Sequence, residues 1–418
     1  MTATLKLVES SSYHALDVAN AVEYLARLPN IQEKLGGNPR DWAVKEVGDG
    51  NLNLVFIIEG LQGSIIAKQA LPYVRMVGDS WPLPLYRAHY EQMALSEQFQ
   101  FVPQRVPSVY YYDEPMALIV MEYLAPHTIL RKELIAGNYF PQMAMHMGEF
   151  LASTLFHTSD LNLSAEAKRQ KMTPYLGNIA MCKITEDLIF DEPYFAAPMN
   201  RYTTPYLDDI VMAFQGDTAL KLAVQEMKWR FLNAPEALCH GDLHTGSIMV
   251  TNMDTRVIDP EFAFYGPIGF DVGMLLANFL MAYYAQDGHA EIPHERDDYK
   301  NWILDMITET YGHFIARFTQ LWQSRAGEAY QARVMSTAEA DSMLQSRLKQ
   351  IWQDVLGFCG VEIIRRILGL AHVADFEAIK NPGLRANCER KALLLGREML
   401  INRPRFQCYS DLHGVITA

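Results

Sequence analysis

The stretch that decides the fold of this chain runs from Cys239 to Val250 and has the sequence CHGDLHTGSIMV. It joins a polar, glycine-containing loop to the beginning of an apolar strand, and it places Asp242 within the loop. A second acid, Asp259, follows a further short apolar strand. The residues between the two acids predict a β-hairpin, so one acid lies at each end of it.

Two carboxylates in this arrangement predict phosphoryl transfer. The reaction needs one carboxylate to orient the attacking hydroxyl and to accept its proton, and another to hold the magnesium that neutralises the phosphates. A catalytic-loop acid and a metal-binding acid on either side of a β-hairpin are arranged in this way in kinases. We therefore predict that Asp242 is the catalytic residue and that Asp259 binds magnesium.

Composition sets the general class of the protein. The chain has 418 residues, half of them hydrophobic and a fifth charged, which suits a globular protein of two lobes. The net charge of −13 disfavours a nucleic-acid binder, which would carry a basic face. The five cysteines form no CxxC pair, no signal peptide is evident, and the longest apolar stretch, 272–285, is too short for a bilayer. We expect a cytoplasmic protein with reduced thiols and no nucleic-acid or membrane partner.

The order of the predicted elements indicates an α+β fold. Up to residue 121 the pattern predicts an N-terminal helical extension followed by β-β-β-α-β-β, and after residue 127 it becomes mainly helical, with one strand pair at 248–251 and 255–258. We predict a bilobal, protein-kinase-like fold. It comprises a small N-terminal antiparallel β-sheet lobe for ATP (1–121), a hinge (122–127) and a large, mainly helical catalytic and substrate-binding lobe (128–418). The helices predicted in the large lobe are 141–157, 204–214, 218–232, 268–285, 299–323, 337–374 and 384–401.

A turn that contains Gly48 and Gly50 lies between two predicted strands and is a candidate for binding phosphate. Glycines let backbone amides approach phosphate oxygens closely. A Gly-Asp-Gly turn is, however, most often a plain hairpin. Asn53 stands where a protein kinase would have a third glycine, so we expect its side-chain amide to contribute at the phosphates.

Lys68 follows an apolar run on a predicted strand. A lysine at the end of a strand is normally solvated, but this run resembles the kinase element whose lysine pairs with the α- and β-phosphates of ATP. The carboxylate partner of this lysine is expected on the following helix. Glu91 is the first choice and Glu97 is the alternative, although either could lie on a solvated face.

The segment Glu122, Tyr123 and Leu124 follows an apolar strand and precedes Pro126. In a kinase, the backbone of such a hinge hydrogen-bonds the adenine edge while apolar residues sandwich the ring. The three residues are therefore predicted to bind ATP because of their position rather than their side chains.

Two positions depart from the pattern of protein kinases. Ser247 stands where most kinases keep a magnesium-binding asparagine, and a hydroxyl is a weaker metal ligand than an amide oxygen. Glu261 replaces the glycine of Asp-Phe-Gly, so its carboxylate can supply coordination beside Asp259. His240 and His244 also suggest a zinc site, but the neighbouring glycines are poor helix formers and no glutamate base lies between the histidines. We expect His240 to brace the loop.

Arg365 and Arg366 lie in the middle of a strongly apolar predicted helix. Successive helix residues point about 100° apart, so at least one guanidinium should lie near the apolar stripe. A buried guanidinium needs an acidic partner or an anionic ligand. Two interpretations stay open: an ion pair with an internal carboxylate, or a clamp for the transferring phosphoryl group.

Taken together, these motifs resemble those of the methylthioribose kinase family, within the group of aminoglycoside phosphotransferases and choline kinases. The resemblance covers nearly the whole length of the chain. The runs GDLHTGS and DPEFAFYGP are specific to that family, and Ser247 and Glu261 belong to its own pattern. The stretches that carry the resemblance are 48–53, 77–83, 240–248, 259–273 and 364–372.

The resemblance implies ATP-dependent phosphorylation of the 1-hydroxyl of 5-methylthioribose in methionine salvage. It also implies ATP and Mg2+ as cofactors and a protein that is typically a homodimer. The loop around Trp81 resembles one that closes over the site. By the same likeness, ATP is bound by Asn51, Lys68 and the hinge, the metal and phosphates are contacted by Asp259 and Glu261, and the sugar is contacted by Asp242, Arg365 and Arg366.

Two other functions are weighed against this one. An aminoglycoside or choline kinase-like phosphotransferase would act on another small-molecule hydroxyl, but a pocket for a polycation would need acids where Arg365 and Arg366 stand. A pseudokinase that senses nucleotide is disfavoured because Lys68, Asp242 and Asp259 are intact.

Overall fold

The structure, a computed structural model, describes residues 13–48, 52–74, 78–325 and 334–417. The chain divides into two compact units. The first unit comprises the residues through Pro126 together with Ile258–Phe262, and the second comprises His127–Val257 and the residues from Ala263 onward. The expected α+β fold, with an N-terminal antiparallel sheet and a mainly helical remainder, is confirmed. Among the described residues, no helix is long and apolar enough to cross a bilayer.

The first unit is built around a five-stranded antiparallel sheet. Its elements are α1 (Val18–Leu25), α2 (Pro29–Leu35), β1 (Ala43–Glu46), β2 (Asn53–Glu59), β3 (Ser64–Ala70), β4 (Tyr73–Val74), β5 (Gly78–Pro82), α3 (Arg87–Phe101), β6 (Val109–Asp113) and β7 (Leu118–Glu122). The strand order in the sheet is β1-β2-β3-β7-β6, and β4 and β5 form a separate hairpin.

Strand β3 is central in this sheet because it pairs with β2 on one side and with β7 on the other. Side chains alternate between the two faces of a strand, so Ile65 and Ala67 enter the hydrophobic core while Lys68 lies on the opposite face. The ladder sets Val55 and Ile119 opposite Lys68. The backbone of this lysine is therefore held from both sides.

The second unit contains twelve further helices and five short strands among the residues described. They are β8 (Thr128–Ile129), α4 (Leu130–Ala136), α5 (Met143–His157), α6 (Ala165–Tyr175), α7 (Ile179–Thr185), α8 (Asp208–Gly216), α9 (Thr218–Asn233), β9 (Ala237–Cys239), β10 (Ile248–Val250), β11 (Thr255–Val257), β12 (Phe264–Gly266), α10 (Gly269–His289), α11 (Asp297–Arg325), α12 (Thr337–Leu368), α13 (Ala374–Glu377), α14 (Pro382–Ile401) and α15 (Tyr409–Ile416).

The expectation of a single strand pair in this part of the chain is wrong. The predicted hairpin β10–β11 is present, but β8 extends it by pairing with β10, and β9 pairs with β12. These added strands have two or three residues each, which is too short for an alternating pattern to appear in the sequence.

Helix α10 lies at the centre of the second unit. Its residues from Gly269 to Gln286 are all buried, as its all-round apolar sequence predicts. It packs closely against α12, and a Cβ on Gly273 would stand only 2.8 Å from the carbonyl oxygen of Val355. This close approach fixes α10 against α12, the helix that carries Arg365 and Arg366.

Candidate active site

In the first unit, the residues predicted to bind phosphates and metal gather around Lys68. Lys68 Nζ lies 2.7 Å from Glu91 Oε1 and also contacts Asp259 Oδ1, so Glu91 rather than Glu97 is the helix residue in contact. Burial alone would lower the pKa of Lys68, but the carboxylates of Asp259, Glu91 and Glu261 outweigh this effect and raise that pKa. The ammonium group is therefore charged at neutral pH.

Asp259 lies in a short segment, Ile258–Phe262, that packs with the first unit although its neighbours in sequence belong to the second. Its φ of 71° is in the left-handed region, where residues other than glycine are uncommon and which is enriched at functional sites. One carboxylate oxygen from each of Glu91, Asp259 and Glu261 lies within 4.8 Å of the others. Three hard oxygen ligands at this spacing fit magnesium.

Glu261 is buried, and its position is set by two donors. Its Oε2 accepts hydrogen bonds from Asn53 Nδ2 at 3.2 Å and from Arg87 Nε at 3.1 Å. Burial raises the pKa of Glu261 and the charge of Asp259 adds to this, while Arg87 and Lys68 act in the opposite direction. The structure thus brings Asn53 to Glu261, one of the three clustered carboxylates, a contact that the sequence did not predict.

The glycine-containing turn is only partly covered by the structure. Gly48 is exposed, and a Cβ placed on it would meet nothing within 4 Å, so packing alone does not require glycine there. Gly50 and Asn51, two other residues predicted to bind ATP, lie outside the described residues. The side chain of Trp81 also lies outside the described part of the chain.

The predicted hinge begins at the end of β7. Glu122 is the last residue of that strand, and its Oε2 accepts a hydrogen bond from Ser108 N at 3.1 Å. Tyr123 is half-buried and Leu124 is buried. The side chain of Glu122 therefore serves the sheet, which leaves the predicted adenine contacts to the backbone of this segment.

In the second unit, Asp242 lies in the loop between β9 and β10. Asp271, in the first turn of α10, accepts hydrogen bonds from His240 N at 2.6 Å and from Gly241 N at 3.1 Å, and so holds the loop backbone. Gly241 has a φ of 90°, which glycine adopts without strain. His240 Nδ1 lies 3.3 Å from Asp242 N, so this ring also contacts the loop backbone.

Arg365 and Arg366 both reach Asp242. Their Nη2 atoms lie 2.7 Å and 2.9 Å from the same oxygen, Asp242 Oδ1. Their Nε atoms donate to the two oxygens of Glu362, at 2.6 Å and 2.7 Å. Of the two interpretations left open by the sequence, pairing with an internal carboxylate is observed, and one of the carboxylates is Asp242 itself.

The electrostatic surroundings keep Asp242 ionised. Burial alone would raise its pKa, but the guanidinium charges of Arg366 and Arg365 and the hydrogen bond from His244 outweigh burial and hold that pKa well below the ordinary value. Burial lowers the pKa of His244, so at pH 7 the imidazole is neutral and the two guanidiniums supply the effect. Asp242 can therefore accept a hydrogen bond from a hydroxyl, but it is too weak a base to take the proton early.

His244 completes the surroundings of Asp242. Its Nδ1 accepts a hydrogen bond from Gly246 N at 3.0 Å, which leaves the ring proton on Nε2. That Nε2 lies 3.5 Å from Asp242 Oδ2. Both ring nitrogens are thus directed at the loop and at Asp242, in contrast to a zinc site.

A third arginine, Arg131, extends the cluster. Its Nε lies 3.1 Å from Thr245 Oγ1 and 3.2 Å from Asp375 Oδ2, and its Nη2 donates to Asn278 Oδ1 at 3.0 Å. Three guanidiniums are therefore matched by three carboxylates, those of Asp242, Glu362 and Asp375. The charges of this buried cluster balance.

Sequence reasoning missed Glu362, Arg131 and Asp375. Glu362 lies three and four residues before the two arginines, a spacing that places side chains on one face of a helix, so the sequence did contain a signal for it. Arg131 and Asp375 are far from Asp242 in sequence and lie in no recognisable motif. Only the folded chain brings them together.

Each unit offers a distinct chemistry. The cluster around Lys68 combines one ammonium with three carboxylates and can hold a divalent cation together with phosphate oxygens. The cluster around Asp242 combines an ionised carboxylate with guanidinium donors and can hold a neutral hydroxyl compound. Both are requirements of phosphoryl transfer to an alcohol.

Comparison with known proteins agrees with this chemistry. The sequence profile described as "Phosphotransferase enzyme family" matches residues 43–302. Methylthioribose kinase 1 of Oryza sativa subsp. japonica is 44% identical over 400 residues, which cover 94% of this chain and 93% of that protein. The methylthioribose kinase of an Escherichia coli strain is 43% identical over 401 residues, which cover 95% of this chain and 96% of that protein.

Among solved structures, an ethanolamine kinase from Plasmodium vivax gives a TM-score of 0.46 at 11% identity and covers 94% of this chain and 98% of that one. A choline kinase from Cryptosporidium parvum gives a TM-score of 0.46 at 13% identity, covering 95% of this chain and 100% of that one. Both similarities are distant.

Proposed function

This chain belongs to the methylthioribose kinases of the phosphotransferase enzyme family, and from this membership we propose that it is an ATP-dependent 5-methylthioribose kinase of methionine salvage. The acceptor is the 1-hydroxyl of the sugar, and the product is 5-methylthioribose 1-phosphate. Within the structure, the observation that carries the proposal is the contact of Arg365 and Arg366 with Asp242.

This contact favours a neutral, hydroxyl-rich acceptor. Methylthioribose has no charge, so its hydroxyls can accept hydrogen bonds from guanidiniums and donate one to the carboxylate of Asp242. An aminoglycoside or choline is a cation, and a pocket for a cation would need unpaired acids where the ion-paired Arg365 and Arg366 stand. The pair therefore supports a sugar rather than an amine as the substrate.

The nucleotide is assigned to the first unit. Lys68, whose pKa is raised, contacts the α- and β-phosphates, and Gly48, Gly50, Asn51 and Asn53 complete the phosphate contacts. The backbone of the 122–127 hinge, through Glu122, Tyr123 and Leu124, contacts adenine. The hinge divides an ATP-binding lobe at 1–121 from a catalytic lobe at 128–418.

Magnesium is assigned to Asp259 and Glu261. Their carboxylates, with that of Glu91 close by, provide the hard oxygen ligands that this ion prefers. When bound, magnesium neutralises charge on the phosphates and on the leaving group. Lys68 donates a hydrogen bond to Asp259, and Arg87 donates one to Glu261, so both acids are held in place by cations of the same unit.

The transfer step follows from these roles. Asp242 accepts a hydrogen bond from the 1-hydroxyl and orients its oxygen toward the γ-phosphorus. The new oxygen–phosphorus bond forms as the bond to the bridging oxygen of ADP breaks, and ADP leaves with that electron pair. Because the pKa of Asp242 is held low, the proton passes to it late, when the hydroxyl has become acidic.

A substrate panel tests the proposed function. We expect ATP consumption with purified methylthioribose, with formation of its 1-phosphate, and a kcat/KM at least about a hundredfold above that for kanamycin or choline, about 2.7 kcal/mol. Turnover of kanamycin or choline without turnover of methylthioribose would contradict the proposal.

The arginine pair is tested separately. We expect Arg365→Ala to lower turnover of methylthioribose at least tenfold, about 1.4 kcal/mol, because one guanidinium no longer contacts Asp242 and the sugar. The matched control is Arg347→Ala on the same helix, where the arginine contacts Gln350 and lies far along α12 from the pair. Unchanged turnover in Arg365→Ala would assign this arginine to structure alone.

The cellular setting completes the proposal. The five cysteines are unpaired in the structure, which supports a reducing, cytoplasmic compartment. Family membership supports a homodimer, and sedimentation equilibrium of the purified protein tests that assembly directly.

A further inference from the structure

Arg87, the first residue of α3, is an unusually buried cation. None of its surface is exposed (0%), and it is among the largest fully buried side chains of the described chain. Arginine is almost never buried to this degree unless its charge and its donors are paired. The partners of Arg87 therefore indicate why it is there.

All five N–H donors of this guanidinium have an acceptor. Nε donates to Glu261 Oε2 at 3.1 Å, Nη1 donates to the carbonyl oxygens of Leu71 at 2.8 Å and Pro84 at 3.0 Å, and Nη2 donates to the carbonyl oxygen of Leu52 and to Asn53 Oδ1 at 3.2 Å. No donor is left for a ligand, so the side chain acts only on other parts of the protein.

Those acceptors belong to three segments, two of which are assigned to the nucleotide and its metal. Glu261 is an acid of the metal cluster. Leu52 and Asn53 end the glycine-containing turn. Leu71 and Pro84 flank the hairpin β4–β5, whose base is also closed by the hydrogen bond from Leu83 N to Pro72 O at 2.9 Å. One buried cation thus joins the turn, the hairpin base and the metal-site acid.

The contact with Glu261 is reinforced by Asn53. The amide of Asn53 accepts from Arg87 through Oδ1 and donates to Glu261 Oε2 through Nδ2. Arg87, Asn53 and Glu261 therefore form a closed triangle of hydrogen bonds. The two donors on Oε2 restrain rotation of the carboxylate and so limit the direction of its other oxygen.

The spacing of residues along α3 explains how both Asp259 and Glu261 are held in place. Arg87 and Glu91 are one helical turn apart, so they lie on the same face of the helix. Arg87 meets Glu261, while Glu91 meets Lys68, which in turn meets Asp259. One face of α3 thus holds Glu261 directly through Arg87 and holds Asp259 indirectly, because Glu91 contacts the lysine that pairs with it.

We propose that Arg87 is a positioning residue for the metal-bound nucleotide: together with Asn53, it fixes the carboxylate of Glu261 in the geometry that Mg2+–ATP requires. It touches neither ligand itself. This assignment rests on the proposed function, because it presumes that the first unit binds nucleotide and magnesium.

The test measures binding of a non-hydrolysable ATP analogue by titration calorimetry, with and without Mg2+. For Arg87→Met, which keeps the volume but has no donors, we expect the Mg2+ concentration for half-maximal nucleotide binding to rise at least tenfold. Affinity in the absence of Mg2+ should change less than threefold. Arg87→Lys, which keeps the charge but not the five-donor fork, should also show the rise.

A double-substitution cycle separates positioning from plain stability. If Arg87 acts through Glu261, then Arg87→Met and Glu261→Gln should raise the Mg2+ requirement by similar factors. The double variant should then need no more Mg2+ than the single variant with the higher requirement. The double variant removes both members of a buried ion pair, so it also serves if Arg87→Met alone does not fold. Arg230→Met, which removes a partly buried, ion-paired arginine of the second unit, should leave the Mg2+ requirement unchanged.

The outcomes are distinct. Wild-type Mg2+ dependence in folded Arg87→Met, full recovery by lysine, or multiplying effects in the double variant would each overturn the role of Arg87. A wild-type protein that binds nucleotide and magnesium but does not act on methylthioribose would overturn the proposed substrate and leave this assignment standing. A wild-type protein that binds no nucleotide would overturn both.

Discussion

Asp242→Ala is expected to abolish turnover of methylthioribose while leaving ATP binding nearly intact. In the proposed mechanism, Asp242 acts on the acceptor: it orients the attacking hydroxyl and takes its proton late. Loss of both effects should lower kcat by at least about a thousandfold, about 4 kcal/mol. Nucleotide affinity should stay within about threefold of the wild-type value, because the residues assigned to ATP lie in the first unit. Steady-state kinetics and nucleotide calorimetry on the same preparation measure the two quantities.

A second substitution at this position separates charge from shape. Asp242→Asn keeps the size of the side chain and an oxygen for Arg365 and Arg366, but it lacks the negative charge that both guanidiniums contact. We expect it to be nearly as inactive as the alanine variant, because an amide cannot take the proton. Strongly weakened nucleotide affinity in a folded Asp242 variant would contradict the assignment of this residue to the acceptor.

The pKa of Asp242 adds a pH dependence to this expectation. The pKa of the carboxyl is held well below its ordinary value of 3.8, so the carboxylate stays ionised throughout the mildly acid range. A fall in wild-type activity between pH 7 and pH 5 should therefore have another origin. The residual activity of Asp242→Asn is expected to follow the same pH profile in that range.

The fold could be predicted where its sequence patterns are long. The sheet of the first unit and the long helices α10, α11, α12 and α14 follow from periodicity in runs of apolar residues. Helix α6 was missed because its sequence is mostly polar and only Lys168 and Tyr175 are buried. Strands β8, β9 and β12 were missed because they are held by long-range pairing rather than by a local pattern.

The boundaries of α3 illustrate a different limit. The sequence predicts a helix over 84–98, which begins before the observed one, Arg87–Phe101, and overlaps most of it. Its inner face carries Arg87, Glu91 and Gln98, so polar residues are buried and the contrast between the faces is weak. Sequence patterns assume that buried faces are apolar. That assumption fails where a helix supplies charges to a functional cluster.

The residues of the candidate site likewise divide into those that a sequence motif identifies and those that only the folded chain identifies. Asp242, Lys68, Asp259 and Glu261 lie in recognisable motifs, so the sequence predicted them as site residues, and that prediction still awaits mutagenesis. Arg87 stands outside those motifs, and its partners at 52, 71, 84 and 261 are dispersed along the chain. A residue that positions other side chains is recognised by its long-range contacts, and only the folded chain shows these contacts.

Glu362→Gln is expected to cost about 3 kcal/mol of stability and at least tenfold in turnover. Glu362 is 0% exposed and accepts the Nε donors of Arg365 and Arg366 on separate oxygens. Glutamine keeps the shape but removes the charge, and its amide N–H would point at a guanidinium donor. Breaking a buried ion-pair network from one side typically costs about 3–5 kcal/mol, because the remaining charges are left uncompensated. Urea unfolding measures the free energy of unfolding, and kinetics at saturating ATP measures turnover.

A matched control separates the two effects. Glu389 on α14 is also buried and accepts the Nε donor of Arg385, at 2.8 Å, but neither residue contacts Asp242 in the described structure. Glu389→Gln should lose stability to a similar degree while its turnover, measured well below its unfolding transition, stays within about twofold of wild type. Nucleotide affinity should be unchanged in both variants. If Glu362→Gln has wild-type turnover while folded, the glutamate stabilises α12 but does not set the arginines for catalysis.

The pairing of Glu362 with the two arginines should also appear in the pH dependence of the free energy of unfolding. Burial alone would raise the pKa of Glu362, but Arg365 and Arg366 outweigh burial and hold it below the ordinary value of 4.5. A carboxyl whose pKa is depressed in the folded state stabilises that state above its unfolded pKa, and the contribution is lost as the pH falls through the folded value. The difference in unfolding free energy between wild type and Glu362→Gln should therefore be constant from pH 7 down to about 5 and should narrow only below about 4.5. A difference that already narrows between pH 7 and pH 6 would show that Glu362 is not held ionised by the arginine pair.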